Sequence, residues 1–148
     1  MGLMTSSDAK IYVSTASPAT RDETGYAALT YTEVKQITSV NPYGTMVSAV
    51  EFNTLSGGAK QTAKGQKDYG GVGGDYVYDS EDAGQNILRA DVLTTTSELS
   101  VKIELPDGSV SYSGGPSLNA QRNIGSANNM INGTYDIRFN YEPVEVAA

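Results

Sequence analysis

The sequence predicts a mainly β protein: a sandwich or half-barrel of antiparallel strands with one flanking α-helix and long flexible loops. Three observations carry this reading. Leu99, Val101, Ile103 and Leu105 alternate with Ser100, Lys102 and Glu104, and a second stretch sets Ile131, Tyr135, Ile137, Phe139 and Tyr141 against Asn132, Thr134, Asp136, Arg138 and Asn140. A period of two marks strands with one face turned inward. Sixteen glycines and ten tyrosines, with abundant Ser, Thr and Asn, favour strands and turns. The chain's 148 residues suit one domain over 1–148, large enough to remove about two-thirds of its unfolded surface from water.

After a polar arm over 1–9, Lys10-Ile11-Tyr12-Val13 reads as a short strand. Residues 14–28, with Pro18 and Gly25 among small polar residues, read as a loop with little structure of its own. Leu29–Val40, rich in Thr, Tyr, Val and Ile, reads as a strand, and Asn41-Pro42-Tyr43-Gly44 as its turn. The return strand places Met46, Ser48, Val50 and Phe52 on one face and Thr45, Val47, Ala49, Glu51 and Asn53 on the other. Together these predict a long hairpin.

Residues 54–74 differ in kind. From Ser56 to Gly74 there are seven glycines, three lysines (Lys60, Lys64, Lys67) and almost no apolar side chain, which predicts a mobile loop. Asp75–Tyr78 follows as a short strand. Asp79-Ser80-Glu81-Asp82 then supplies a cap and first-turn acids for a helix running to about Leu93, with Ala83, Ile87 and Ala90 one above another and Leu88 and Val92 beside them. Leu99–Leu105 pairs with Ser109–Ser113 across Pro106-Asp107-Gly108. Leu118–Ile124 pairs with Met130–Tyr141 across Gly125–Asn129. The expected core is Val13, Met46, Val50, Phe52, Ile87, Val101, Ile103, Ile137 and Phe139.

Composition narrows the chemistry. There is no cysteine and no histidine, so disulfides, thiolate nucleophiles, Ser-His-Asp triads and His- or Cys-based metal sites are excluded. No catalytic, cofactor-binding or metal-binding residue is assigned, and the expectation is that the protein is not an enzyme. A formal charge of −7 and a pI near 4.4 oppose sequence-directed binding to nucleic acid. The first ten residues lack a basic run followed by an apolar stretch, and no uncharged segment approaches a membrane span. The expectation is a soluble protein made in a cytosol.

Motif-like segments weaken on inspection. Gly70-Gly71-Val72-Gly73-Gly74 has Tyr76 where a dinucleotide fingerprint needs its third glycine, and Gly65 is followed by Gln66 where a P-loop needs Gly-Lys-Ser/Thr. Asp79–Ala90 lacks the Glu that closes a calcium loop. The three lysines read first as a solvated loop; as a basic patch for nucleic acid or for an acidic partner they lack the interleaved aromatics of a stacking-type nucleic-acid site.

The order of these pieces resembles the phage major tail tube proteins, and most closely the N-terminal domain of the lambda-like siphophage tube protein. The residues carrying the resemblance are Gly65-Gln66-Lys67, then Tyr76-Val77-Tyr78 leading into Glu81-Asp82-Ala83-Gly84-Gln85, then Val101–Gly115 and the terminal hairpin, over about residues 10–142. The additional immunoglobulin-like domain that such proteins can carry is not expected here, and residues 14–26 share nothing alignable. The resemblance implies a tail-tube-type sandwich that assembles with itself into hexameric rings stacked as a tube for DNA, located in the virion tail after synthesis in the host cytoplasm. It implies initiator or baseplate, tape-measure and terminator proteins as partners, transient non-specific passage of DNA, and no membrane. On that reading Lys60, Lys64, Gln66 and Lys67 belong to a subunit- or ring-stacking loop. Thr45, Glu51, Asn53, Thr134, Asp136 and Arg138 are candidates for a neutral-to-acidic channel wall, with Asp136 or a neighbouring carboxylate expected to offset Arg138. The alternatives are a stand-alone β-sandwich binding module and another tail component such as a terminator.

Overall fold

The computed structural model describes residues 4–5, 7–94 and 96–147. In order, the elements are β1 (Lys10–Ser14), α1 (Glu23–Ala27), β2 (Thr32–Val34), β3 (Ile37–Val40), β4 (Met46–Phe52), β5 (Gln61–Asp68) and β6 (Gly71–Val77). They continue with α2 (Ala83–Val92), β7 (Leu99–Glu104), β8 (Val110–Gly115), β9 (Ser117–Asn119), β10 (Arg122–Asn123), β11 (Asn132–Arg138) and β12 (Val144–Val146). The protein is mainly β with antiparallel sheets, as the alternating patterns predict, and it has two short helices where the sequence predicts one. Of the polar arm expected over 1–9, residues 1–3 and 6 lie outside the described residues.

The first sheet runs β12-β8-β7-β1-β2 and the second β10-β11-β6-β3, with β9 also pairing β11. Register places like with like: Ile11 lies opposite Ile103, Val13 opposite Val101, and Ile137 opposite Val72. The inward residues of both sheets, with Leu88 of α2, meet in one core that includes Val34, Leu99, Tyr76, Tyr135 and Phe139. Val13, Val101, Ile103, Ile137 and Phe139 are buried as expected, and Ile87 packs on the core half-buried.

Three expectations fail for identifiable reasons. The segment 29–40 is not one strand. Gln36 has φ +65° between β2 and β3, and the chain changes sheets there. The crossover is held from α2, its cap and β6: Lys35 N–H donates to Asp82, the Lys35 carbonyl accepts from Gln85 Nε2, and the Gln36 carbonyl accepts from the Val77 amide.

The helix keeps its Asp82 cap but turns a different face inward, with Gly84, Gln85, Leu88 and Asp91 buried rather than Ala83 and Ala90. A side chain at Gly84 would meet the Glu33 carbonyl oxygen at 2.4 Å, so close approach to β2 demands glycine. Gln85 is wholly buried because it serves the backbone, accepting from Asp79 N–H and donating to the Lys35 and Val77 carbonyls. The expected first-turn acids precede the helix and cap it.

Residues 14–28 are not structureless. Asp22 caps α1 by accepting from the Gly25 amide, and Tyr26 is fully buried, stacked on Tyr112 with ring centroids 5.6 Å apart. The Arg21 guanidinium lies 3.4 Å from the Tyr141 ring centre, and Ser100 Oγ donates to the Ala16 carbonyl. This segment is the cover of the first sheet's outer face.

Candidate functional site

The main departure from expectation concerns residues 46–68. Met46 is 74% exposed, Val50 52% and Phe52 50%, so none of the three belongs to the core. The glycine- and lysine-rich segment 54–74 is not a loop: most of it is β5 and β6, and β5 pairs β4 in a separate two-stranded sheet. The strands β3 and β6 pair in the second sheet; beyond them the same two chain segments continue as β4 and β5 and leave the sandwich as a ribbon.

The ribbon bends where it leaves. Gly44 has φ +132° and Gly70 φ +73°, and a Cβ on Gly70 would lie 2.5 Å from the Gly44 carbonyl oxygen. Neither site accepts a side chain without strain. Asp68 closes the bend by accepting from the Gly70 amide. Tyr43 packs at the root, where burial and then the Glu145 carboxylate push its hydroxyl pKa upward.

Cross-strand partners share a face. Val47 lies opposite Lys67, Ala49 opposite Lys64 and Glu51 opposite Thr62, while Lys60 pairs with Glu51 at 2.5 Å. The face proposed for the channel wall at β4 is therefore the face that carries the lysines, three cations against one carboxylate. It is basic, not neutral-to-acidic. Gln66 lies in the register irregularity beside Ser48. The other face presents Met46, Val50 and Phe52 to solvent, with Ala63 opposite Val50. Lys60, Lys64, Gln66 and Lys67 thus sit on or beside a β-ribbon rather than in a loop.

The remaining candidates fall elsewhere. Thr134, Asp136 and Arg138 line a polar depression of about 340 Å³ on the outer face of the second sheet, with Gly71, Gly73 and Asp75 of β6. Asp136 offsets Arg138 at 3.6 Å, as expected. Thr45 lies at the ribbon's root, in a cleft with Tyr43 and Phe139, and Asn53 follows β4 toward the tip. The six candidates therefore divide among the ribbon, its root and the sheet face. Among the described residues no group of three or more acidic side chains is placed to hold a metal ion, and no helix is long and apolar enough to cross a membrane.

One apolar surface was not anticipated. A groove of about 540 Å³ opens at the ribbon's root, lined by Ile11, Ile37, Val40, Tyr43, Ile103 and Leu105 among others. The strand patterns place Ile11 and Ile103 inward but carry no signal that this end of the sandwich stays open.

No family model matches the chain, and no curated protein sequence matches it. Its fold is similar to that of a chain in the cryo-EM structure of the anti-feeding prophage baseplate, 6-fold symmetrised. The TM-score is 0.65 at 9% identity, covering 94% of this chain and 92% of that one. It is also similar to a chain in the structure of the anti-feeding prophage cap, the tube terminating cap, with TM-score 0.58 and 8% identity over 93% and 88% of the two chains. The likeness is one of fold.

Proposed function

We propose that this chain is a structural subunit of a phage-tail-like particle, one that polymerises with itself as hexameric rings stacked into a tube for DNA. The observation that carries the proposal is the projecting ribbon. An isolated two-stranded ribbon is marginally stable in water, and this one leaves three large apolar side chains exposed on one face. Such an element belongs against a partner. A chain of net charge −7 with three lysines on one ribbon face suits another copy of itself as that partner. The shared fold with anti-feeding prophage baseplate and cap chains supports the same class of assembly.

On this reading the ribbon joins subunits, and the outer face of the second sheet, with Thr134, Asp136 and Arg138, is the better candidate for the channel wall. DNA slides past a wall that is not cationic, whereas a basic face would hold it through released counterions. Initiator or baseplate, tape-measure and terminator proteins would be its neighbours in the virion tail. The chemistry asked of the chain is assembly, not catalysis.

Electron microscopy of the concentrated protein tests the proposal. Stacked rings are expected, with the second sheet's outer face toward the lumen. Particles that remain monomeric at millimolar concentration would overturn it. A second reading, a terminator, is favoured by the likeness to the tube terminating cap chain. It predicts single rings that do not stack.

A further inference from the structure

We propose that the ribbon's apolar face seats in the open groove of a second copy, joining subunits head to tail. The proposal rests on the self-assembly reading above and adds the acceptor surface. At one end of the core α2 lies against β1, β2 and β9 and buries Leu88 among the inward residues of the sheets, leaving a smaller pocket of about 340 Å³ beside Thr15 and Leu99, where β1 ends and β7 begins. At the opposite end, where β1 begins and β7 ends, no helix lies among the groove-lining residues. The groove reaches inward to Ile11 and Ile103, both buried core residues, and its wall is β3, the edge strand of the second sheet.

The occupant follows from what the chain itself offers. Met46, Val50 and Phe52 form an apolar face that the ribbon's own subunit leaves exposed. The groove's lining is mostly apolar, with Lys10 its one charged side chain, so it takes an apolar guest. The ribbon's lysines lie on the opposite face, and the chain's net charge of −7 favours their approach to another copy as a whole. Donor and acceptor differ, so the contact is heterologous. A contact of this kind propagates from copy to copy and closes into a ring when the rotation allows. The groove also opens at the root of the ribbon, beside Pro42 and Tyr43. A ribbon arriving from one neighbour would press against the bend from which the receiving copy's own ribbon departs, so occupancy of one site would orient the next.

The absence of cysteine makes this directly measurable. Phe52→Cys and Val40→Cys variants, distinguished by size tags, are mixed at a concentration where the parent protein assembles and are then oxidised. The crossed disulfide is expected in at least tenfold excess over the product of Phe52→Cys with Leu118→Cys, an exposed position outside the groove. Phe52→Glu is expected to raise the half-assembly concentration at least tenfold without moving the thermal midpoint, because Phe52 packs on nothing in its own core. Phe52→Glu protein that assembles like the parent overturns the role of the apolar face. Loss of assembly in Phe52→Glu without the crossed disulfide overturns the groove while leaving the self-assembly reading standing. Parent protein that neither assembles nor cross-links overturns both.

Discussion

At the residue scale, the inward positions of the long strands were legible because alternation alone assigns them. Phe139 is such a residue, buried at the end of the last long strand's apolar face. Phe139→Ala should destabilise the fold by about 3–5 kcal/mol if the site cannot collapse. For a chain of this size that lowers the thermal midpoint by roughly 10 °C. An unchanged midpoint in a thermal melt would show that Phe139 contributes no core packing. Tyrosine ionisation gives a second expectation. Burial, and then the neighbouring Tyr112 and Tyr26 hydroxyls, push the Tyr31 pKa up; burial and then the Asp75 carboxylate do the same at Tyr135. A folded-state pKa above the unfolded value near 10 means that the fold favours the neutral phenol. The stability this contributes is complete below pH 10 and is lost as pH climbs past it. Denaturant midpoints should therefore hold steady to about pH 9 and fall above 10, less steeply in Tyr135→Phe. A Tyr135→Phe profile identical to the parent's would exclude Tyr135 as a source of the alkaline loss. The helix face was not legible, because its buried positions include Gly84, Gln85 and Asp91, chosen for close approach and hydrogen bonding rather than for apolarity.

At the scale of elements, the strands that carry a buried face were readable and those that do not were missed. Residues 61–68 contain no apolar stripe, yet they form β5, because a ribbon's ladder is made by backbone groups whatever side chains they carry. Glycines 71, 73 and 74 likewise sit in β6 rather than in a loop. Alternation in 46–52 correctly separated an apolar face from a polar one, but alternation does not say what covers the apolar face, and within one chain nothing does. The ribbon is accordingly separable from the sandwich. At the bend the Gly70 Cα is near enough to the Gly44 carbonyl that an added Cβ would overlap it, so a short Gly-Ser link from Thr45 to Tyr69 can replace residues 46–68. The shortened chain should keep its thermal midpoint within a few degrees while failing to assemble in sedimentation velocity. Normal particles from it would mean that the ribbon is not the joining element, and an unfolded product would mean that the sandwich depends on it.

At the scale of the whole molecule, the decisive feature is the uneven distribution of charge. Ten cationic side chains oppose seventeen acidic ones, and three of the ten, Lys60, Lys64 and Lys67, sit within eight residues on one ribbon. Two sequence expectations, a basic stacking segment and an acidic channel wall, fall on the same ribbon face and cannot both hold there. The register makes that face basic, a charge that suits contact with the acidic surface of another copy and ill suits a surface past which DNA must slide. Charge and apolar burial then answer differently to salt. The screening length falls from about 10 Å at 0.1 M to about 3 Å at 1 M, which weakens attraction between exposed charges and leaves apolar contact in place. Replacing all three lysines by glutamine should raise the half-assembly concentration roughly tenfold at 0.1 M salt, a loss of about 1.4 kcal/mol per contact. At 1 M the variant and the parent should converge. Sedimentation across a salt series reads both values directly. A deficit that persists unchanged at 1 M would assign the lysines to packing through their aliphatic stems, and no deficit at either salt would place them away from any subunit contact.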